Sequence, residues 1–483
     1  MKRLGLAPVV LVAACVHAPP RIDGVAPTPA SPSVLWQPAP SVVAAAARDT
    51  VHRVATAATP QQYTLAEVVD VALRNSPATR LSWSSARAAA EVYGSSSGRI
   101  YPTVIAGVAA SRALQIATPG RPAGERTQYG PTLSLAYTVW DFGGRSSAID
   151  AARQTAIAAD LAHNTTVENT ILQVETAAFT YLSTRAQRDA QKSSLDLASA
   201  ALDAANERHR VGLATIADVL QARTARSQAE LQLLTLEGAL HIARGSLAVG
   251  MGLPANTALD VPEVPVSDSV FFITQSVDSL IELAVQNRPE LATARAQASA
   301  ASSQIRVARS GYLPAVAFGA VGAANGSNVS TFSGNTYSLN VGLQVPVFSG
   351  FSNHYDVAAA SEQYQAALAR ADIAKQQIIQ QVFTAYYALR TSTDRVRTSR
   401  DLLASATQSE TVARERYREG VGSIVDLLVA QNALANARAQ SVDARWQWRT
   451  ALAQLAHDVG VLNARGDTSF SRLTPAPDVR PNR

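Results

Sequence analysis

Two aspartates, Asp218 and Asp426, stand 208 positions apart, each three residues after a hydroxyl side chain (Thr215, Ser423) and six after a glycine (Gly212, Gly420). Carboxylates in such settings can move protons, gather cations, or cap a helix. The first of these finds no support. The chain has no Walker loop, no Rossmann glycine cluster and no HExxH helix, and its seven histidines lack metal-ligand spacing. Asp203 and Glu207, at i and i+4, fit a solvated helix face. The reading is a protein that is not an enzyme and has no cofactor or metal. A formal charge of +5, with basic and acidic residues interspersed, also speaks against nucleic acid.

The elements that carry the aspartates are long. Residues 145–210 run without a proline, which at ~1.5 Å per residue predicts a helix of about 100 Å. Its apolar stripe, Ile171, Val174, Ala178 and Tyr181, recurs as Ile379, Val382, Tyr386 and Leu389. Asn75-Ser76-Pro77 likewise answers Asn287-Arg288-Pro289, Phe142 and Gly144 answer Phe348 and Gly350, and the Gly250 region answers Gly460. The chain is therefore read as internally duplicated, with repeats at 63–262 and 263–462. Each repeat opens on a capping box, Thr64 to Glu67 and Ser279 to Glu282. Each then has a helix starting at Pro77 or Pro289, a long helix (about 145–210 and 352–418), a glycine tip, and a return helix (about 214–250 and 422–460).

Between the helices lie alternating stretches. Leu133, Leu135, Tyr137 and Val139 alternate with polar or small residues, as do Tyr337, Leu339, Val341, Leu343 and Val345. With weaker partners at 103–113 and 315–323, they predict one hairpin per repeat, about 102–140 and 313–347, with loops at 115–131 and 324–336. Strands of about ten residues are long enough to cross a bilayer obliquely. Four cannot close a barrel around a lumen, and open edges in lipid cost several kcal/mol per unpaired group. The sheet is expected to close with copies from other protomers. A soluble sheet packed on helices is the competing reading, but no second apolar layer is evident.

Residues 1–15 have a basic start, an apolar core and Val12-Ala13-Ala14-Cys15, the pattern of a processing signal. The ending resembles a lipobox, which implies lipidation at Cys15, the only cysteine; a plain secretory signal is the alternative. A Pro/Ala-rich tether at 16–62 and a flexible tail at 463–483 flank the repeats.

Taken with the Trp-Asp-Phe-Gly-Gly and Pro-Val-Phe-Ser-Gly junctions, the paired tips and the Asn-x-Pro starts, the chain resembles the TolC-like outer-membrane efflux protein family from Tyr63 to Leu462. The resemblance implies an α+β membrane protein: a homotrimer with a twelve-stranded transmembrane β-barrel, four strands per protomer, above a long α-helical barrel in the periplasm. It implies the outer-membrane exit duct of a tripartite efflux system, a passive channel for drugs or other small molecules. Type I protein secretion, or a periplasmic scaffold without transport, are the alternatives. Its partners would be a periplasmic adaptor, an inner-membrane transporter of RND or ABC type, and outer-membrane lipid. Arg210, Gly212, Leu213, Ala214, Arg418, Gly420, Val421 and Gly422 match the adaptor-docking tips. Asp218 and Asp426 match the periplasmic constriction, where six carboxylates in a trimer would favour cations; complementing the helix dipole is a compatible role. Some members carry further polar residues where this chain has Gly422 and Val429.

Overall fold

The computed structural model describes residues 61–116, 124–262, 275–328 and 333–462, all within one compact unit that begins at Thr59. The expected signal with Cys15, most of the tether, and the C-terminal tail lie outside the described residues. In chain order the elements are β1 (Gln61–Gln62), α1 (Leu65–Asn75), α2 (Pro77–Gly98), β2 (Thr103–Gln115), β3 (Gly124–Trp140), α3 (Gly144–Arg210), α4 (Ile216–Gly250), β4 (Leu259–Asp260), α5 (Val277–Asn287), α6 (Pro289–Ser310), β5 (Ala315–Ser327), β6 (Gly334–Gln344), α7 (Ser352–Arg418) and α8 (Ile424–Val459). The order helix, helix, strand, strand, long helix, helix thus occurs twice. Both long helices have 67 residues.

Local chemistry sets these boundaries. Thr64 and Glu67 close a capping box at α1, with the Thr64 amide donating to the Glu67 carboxylate at 2.7 Å, and this bond holds the Glu67 carboxyl below its usual range. At α5 the cap is Ser276 and not Ser279: the Ser279 amide donates to Ser276 Oγ at 3.2 Å, so the helix starts earlier than the Ser279–Glu282 pattern suggests. Before each long helix two consecutive residues adopt positive φ, Phe142 and Gly143 (51° and 91°) and Gly350 and Phe351 (63° and 65°). This αL pair redirects the chain out of the sheet, and the phenylalanines hold a conformation disfavoured for bulky residues.

Two clusters of buried side chains fasten the shorter helices to the long ones. In the first, Val68 and Ala72 of α1 meet Val174, Ala178 and Leu182 of α3, with Leu247 of α4 and Leu259 of β4. In the second, Leu280 of α5 and Leu291 of α6 meet Ile378, Val382 and Leu389 of α7, Leu455 of α8, and Ile171 of α3. Each such leucine contributes roughly 1.5–3 kcal/mol by leaving water. The α7 stripe is rotated from expectation. Ile378, Val382, Ala385 and Leu389 are buried, while Ile379 and Tyr386 are half-buried at its edge. Gln61 and Gln62, assigned to the tether from sequence, instead pair in parallel with Leu259 and Asp260. Gly252 (φ 72°), packed on Asn75, is the counterpart of Gly460 (φ 76°), packed on Asn287; the Gly250 alignment was two residues off.

The sheet runs β2-β3-β5-β6, antiparallel throughout, so the hairpins join through β3 and β5. Opposed residues share a face. Val104↔Leu135↔Ala320↔Leu339 and Ala106↔Leu133↔Gly322↔Tyr337 form one apolar face, while Ile105↔Ser134↔Val321↔Ser338 lie on the other. Leu339 and Tyr337 are 69% and 87% exposed, so no described residue covers the apolar face there. The strands also outrun expectation, because 124–131 and 324–327, read as loop from their turn formers, pair in the ladder. Gly130 is required here, since a Cβ would stand 1.9 Å from the Ala324 carbonyl oxygen. No described helix is long and apolar enough to cross a membrane.

Candidate functional site

At the end of α3, Gly212 (φ 78°) reverses the chain, and the Leu213 amide donates to the Arg208 carbonyl at 2.7 Å. Gly420 (φ 82°) does the same after α7, with the Val421 amide on the Arg416 carbonyl at 3.0 Å. Only residues that tolerate αL fit these positions. The return helices then start in matching capping boxes. Asp218 Oδ2 accepts from the Thr215 amide at 2.8 Å and from Thr215 Oγ1 at 3.0 Å. Asp426 Oδ2 accepts from the Ser423 amide at 3.4 Å, and its own amide donates to Ser423 Oγ at 3.1 Å. Both aspartates are therefore N3 caps, with Oδ1 unbonded among the described residues. Asp218 is half-buried and Asp426 exposed. No bond joins the two carboxylates within the chain.

Of the remaining tip residues, Arg210, Leu213, Arg418 and Val421 are solvent-facing and Ala214 and Gly422 are half-buried. Leu213 and Val421 are 70% and 69% exposed. Arg210 pairs with Glu207 at 3.0 Å, and Arg418 with Glu415 at 3.4 Å. The Ala214 carbonyl bonds the His209 imidazole at 2.9 Å, and Gly422 lies against Arg416. The two tips also touch. Arg208 Nη1 donates to the Tyr417 carbonyl at 2.5 Å, and the guanidinium sits 4.9 Å from the Tyr417 ring centroid. Sequence reading missed this pair. The aligned tips differ there, with His209 opposite Tyr417, but no local pattern marks Arg208 as the partner of Tyr417. Beneath the tips, Ala201, Ala205, Val219, Ile424, Leu427 and Tyr417 form a small core. A cavity of about 530 Å³ opens beside it, with Leu197, Leu213 and Leu427 on its walls and Arg208, Arg414 and Arg418 around it. The Tyr417 hydroxyl is buried without a partner. Burial pushes its pKa up, with Arg208 opposing and Asp218 adding to the shift.

Midway along the long helices lies a second polar assembly that sequence reading did not anticipate. Arg288, 4% exposed, holds Glu290 at 2.8 Å, Asp458 at 3.3 Å and Gln381 at 3.1 Å. His457 Nδ1 donates to Asp458 at 2.9 Å, and its Nε2 bonds the Asn169 side chain at 2.9 Å. Burial, then the charge of Glu290, push Glu168 up to about 7, while His457 and Arg288 oppose the shift. Burial alone pushes Glu175 up to about 7. One oxygen of each of these two carboxyls has no partner. Among the described residues no group of three or more His, Cys, Asp or Glu side chains could hold a metal ion.

The sequence pattern of the family described as "Outer membrane efflux protein" matches residues 68–253 and 280–461. Protein CyaE of Bordetella pertussis is 29% identical over 396 residues, 81% of this chain and 83% of that protein. The pyoverdine export outer membrane protein OpmQ of Pseudomonas aeruginosa is 28% identical over 344 residues, 69% of each chain. Among solved structures, the outer membrane protein VceC of Vibrio cholerae superposes with a TM-score of 0.74 at 19% identity, over 82% of this chain and 96% of that one.

Proposed function

The chain belongs to the outer membrane efflux protein family, whose members are exit ducts in the outer membrane, and on that premise we propose that it works as a passive trimeric channel for small molecules. The sheet carries the reading. Its apolar face is continuous over four strands, yet the outer edges of β2 and β6 have no partner strand among the described residues. Lipid can accept the face but not the edges, because each unpaired backbone group there costs several kcal/mol. Closing β2 of one copy on β6 of the next satisfies both, and three copies give twelve strands, enough to enclose a lumen. The helices would then continue the duct through the periplasm, with the internal duplication supplying six similar units around it.

In this reading the glycine tips receive a periplasmic adaptor, which couples the duct to an inner-membrane transporter of RND or ABC type. Asp218 and Asp426 present their Oδ1 atoms at the constriction, where a ring of carboxylates favours cations. Cys15 carries the lipid anchor. Small-molecule cargo is favoured over secreted protein because OpmQ is described as exporting pyoverdine. The test is single-channel conductance of the detergent-extracted oligomer in a planar bilayer. A small, cation-preferring conductance is expected. An inserted oligomer that does not conduct would overturn the channel.

A further inference from the structure

The polar assembly around Arg288 has a counterpart in the first repeat, and it is empty. An offset of 208 relates α4 to α8, as Gly252 and Gly460 show, and α3 to α7, as their matching bounds show. It carries His457, Asp458 and Gln454 to Val249, Gly250 and Ser246. Arg288 and Glu290 correspond to Ser76 and Ala78 through the Asn-x-Pro starts. These five residues all line a single cavity of about 980 Å³. In the second repeat the matching space is filled by α3 of the same chain. Asn169 bonds His457, Ile171 is 2% exposed within the second core cluster, and the Phe179 ring lies 6.0 Å from that of Trp446.

The α7 residues at the same offset are Gln377 for Asn169, Ile379 for Ile171, Phe383 for Glu175 and Tyr387 for Phe179. Among the described residues none of these four is buried. Phe383 and Tyr387 are 50% and 43% exposed, with rings 4.8 Å apart, and Ile379 is half-buried where Ile171 is buried. Ile242 and Val249, on the cavity wall, are 72% and 60% exposed. From these matched vacancies we infer that the cavity is completed by α7 of a second copy, with Phe383 as the anchor. The inference rests on the oligomeric reading above and adds a register to it.

The two kinds of joint differ in chemistry. Inside a chain the joint is ionic, built on Arg288, Glu290 and Asp458 with Glu168 beside it. Between chains it is neutral and largely apolar, because Ser76, Ala78 and Gly250 stand in for the charged residues and Phe383 for Glu175. Aromatic side chains bury about 150–250 Å² each, so the exposed pair on α7 supplies a large contact.

The test is cross-linking of the full chain in membranes with a short bismaleimide. The pair Val249→Cys and Gln377→Cys occupies the counterpart positions of the bonded His457 and Asn169. Covalent dimers and closed trimers are expected from the double variant and not from either single one. They should also be absent from Val249→Cys with Leu402→Cys, whose α7 site lies about 38 Å further along the helix. Phe383→Ala should lower the temperature at which the extracted oligomer dissociates. If the oligomer is present by light scattering and the first pair does not cross-link, this register is wrong. If the extracted chain is monomeric, the oligomeric reading fails, and the inference with it.

Discussion

Arg208 lies over the Tyr417 ring and donates a hydrogen bond to the Tyr417 carbonyl, so the last turn of one long helix is fastened to the last turn of the other. Each contact uses a different property of the guanidinium, its charge over the π face and its directed N–H groups. Arg208→Ala removes both, for about 2 kcal/mol at the tips. Larger and more frequent single-channel openings are expected. Arg208→Lys should fall between, since an ammonium keeps the cation but loses the planar fork. An unchanged current in Arg208→Ala would show that the latch does not hold the tips.

Tyr417 supplies a control. Its hydroxyl is buried and unpartnered, so removing it relieves a desolvated polar group. Tyr417→Phe should leave thermal stability unchanged or raise it by about 1 kcal/mol, with conductance as in the parent chain. A marked loss would mean that the hydroxyl has a partner in the assembled state.

Asp218 and Asp426 carry two roles that the right substitutions separate. Asparagine keeps a side-chain oxygen to accept from the N-cap amide but has no charge, whereas alanine removes both, and a lost cap costs about 1 kcal/mol. Double Asp→Asn variants should lose cation preference and block by polyvalent cations while melting near the parent temperature. The Asp→Ala pair should lose the preference and melt lower. Cation preference that survives in both would remove the carboxylates from the constriction.

Glu175 sets a pH dependence whose sign follows from its burial. Its pKa is raised from 4.5 to about 7 in the folded chain. Below about pH 4.5 both states are protonated, and the folded state carries no penalty. As pH rises from there to about 7, the unfolded chain ionises first, and stability falls by at most about 1 kcal/mol per pH unit. Above that window the loss is constant. The helical signal should melt higher at pH 5.5 than at pH 8, and Glu175→Gln should shrink the gap by raising the pH 8 value. An equal gap in the variant would place the pH response elsewhere, with Glu168 the next residue to change.

Gly130 leaves no room for a side chain against the neighbouring strand. Gly130→Ala sets a methyl group against the Ala324 carbonyl between β3 and β5, where one hairpin meets the other. Extraction of the assembled form from membranes should fall several-fold, with helical content retained. Wild-type yield would mean that β5 shifts to accommodate the methyl.

The helices were legible because their signals are local. The caps at Thr64, Thr215 and Ser423, Pro77 and Pro289 at helix starts, and the tip glycines fix boundaries to within a residue or two. What failed depended on competition or on distance. Ser276 and Ser279 offer the same hydroxyl, and packing of Leu280 in the core favours the earlier cap. Gly124, Gly130 and Pro131 read as turn formers, yet cross-strand pairing holds them in β3. The Arg208–Tyr417 latch and the assembly around Arg288 join residues far apart in the chain, and no periodicity announces them.

The bare edges of β2 and β6 also bear on biogenesis. An edge strand will pair with whatever strand it meets first, so an isolated chain is prone to aggregation while it waits. Closure requires several chains to meet, and its rate rises steeply with their local density. Misjoined edges multiply with density too. Yield of the finished protein should therefore peak at an intermediate level of synthesis, and a cell that overproduces the chain would gain inclusion bodies in place of channels.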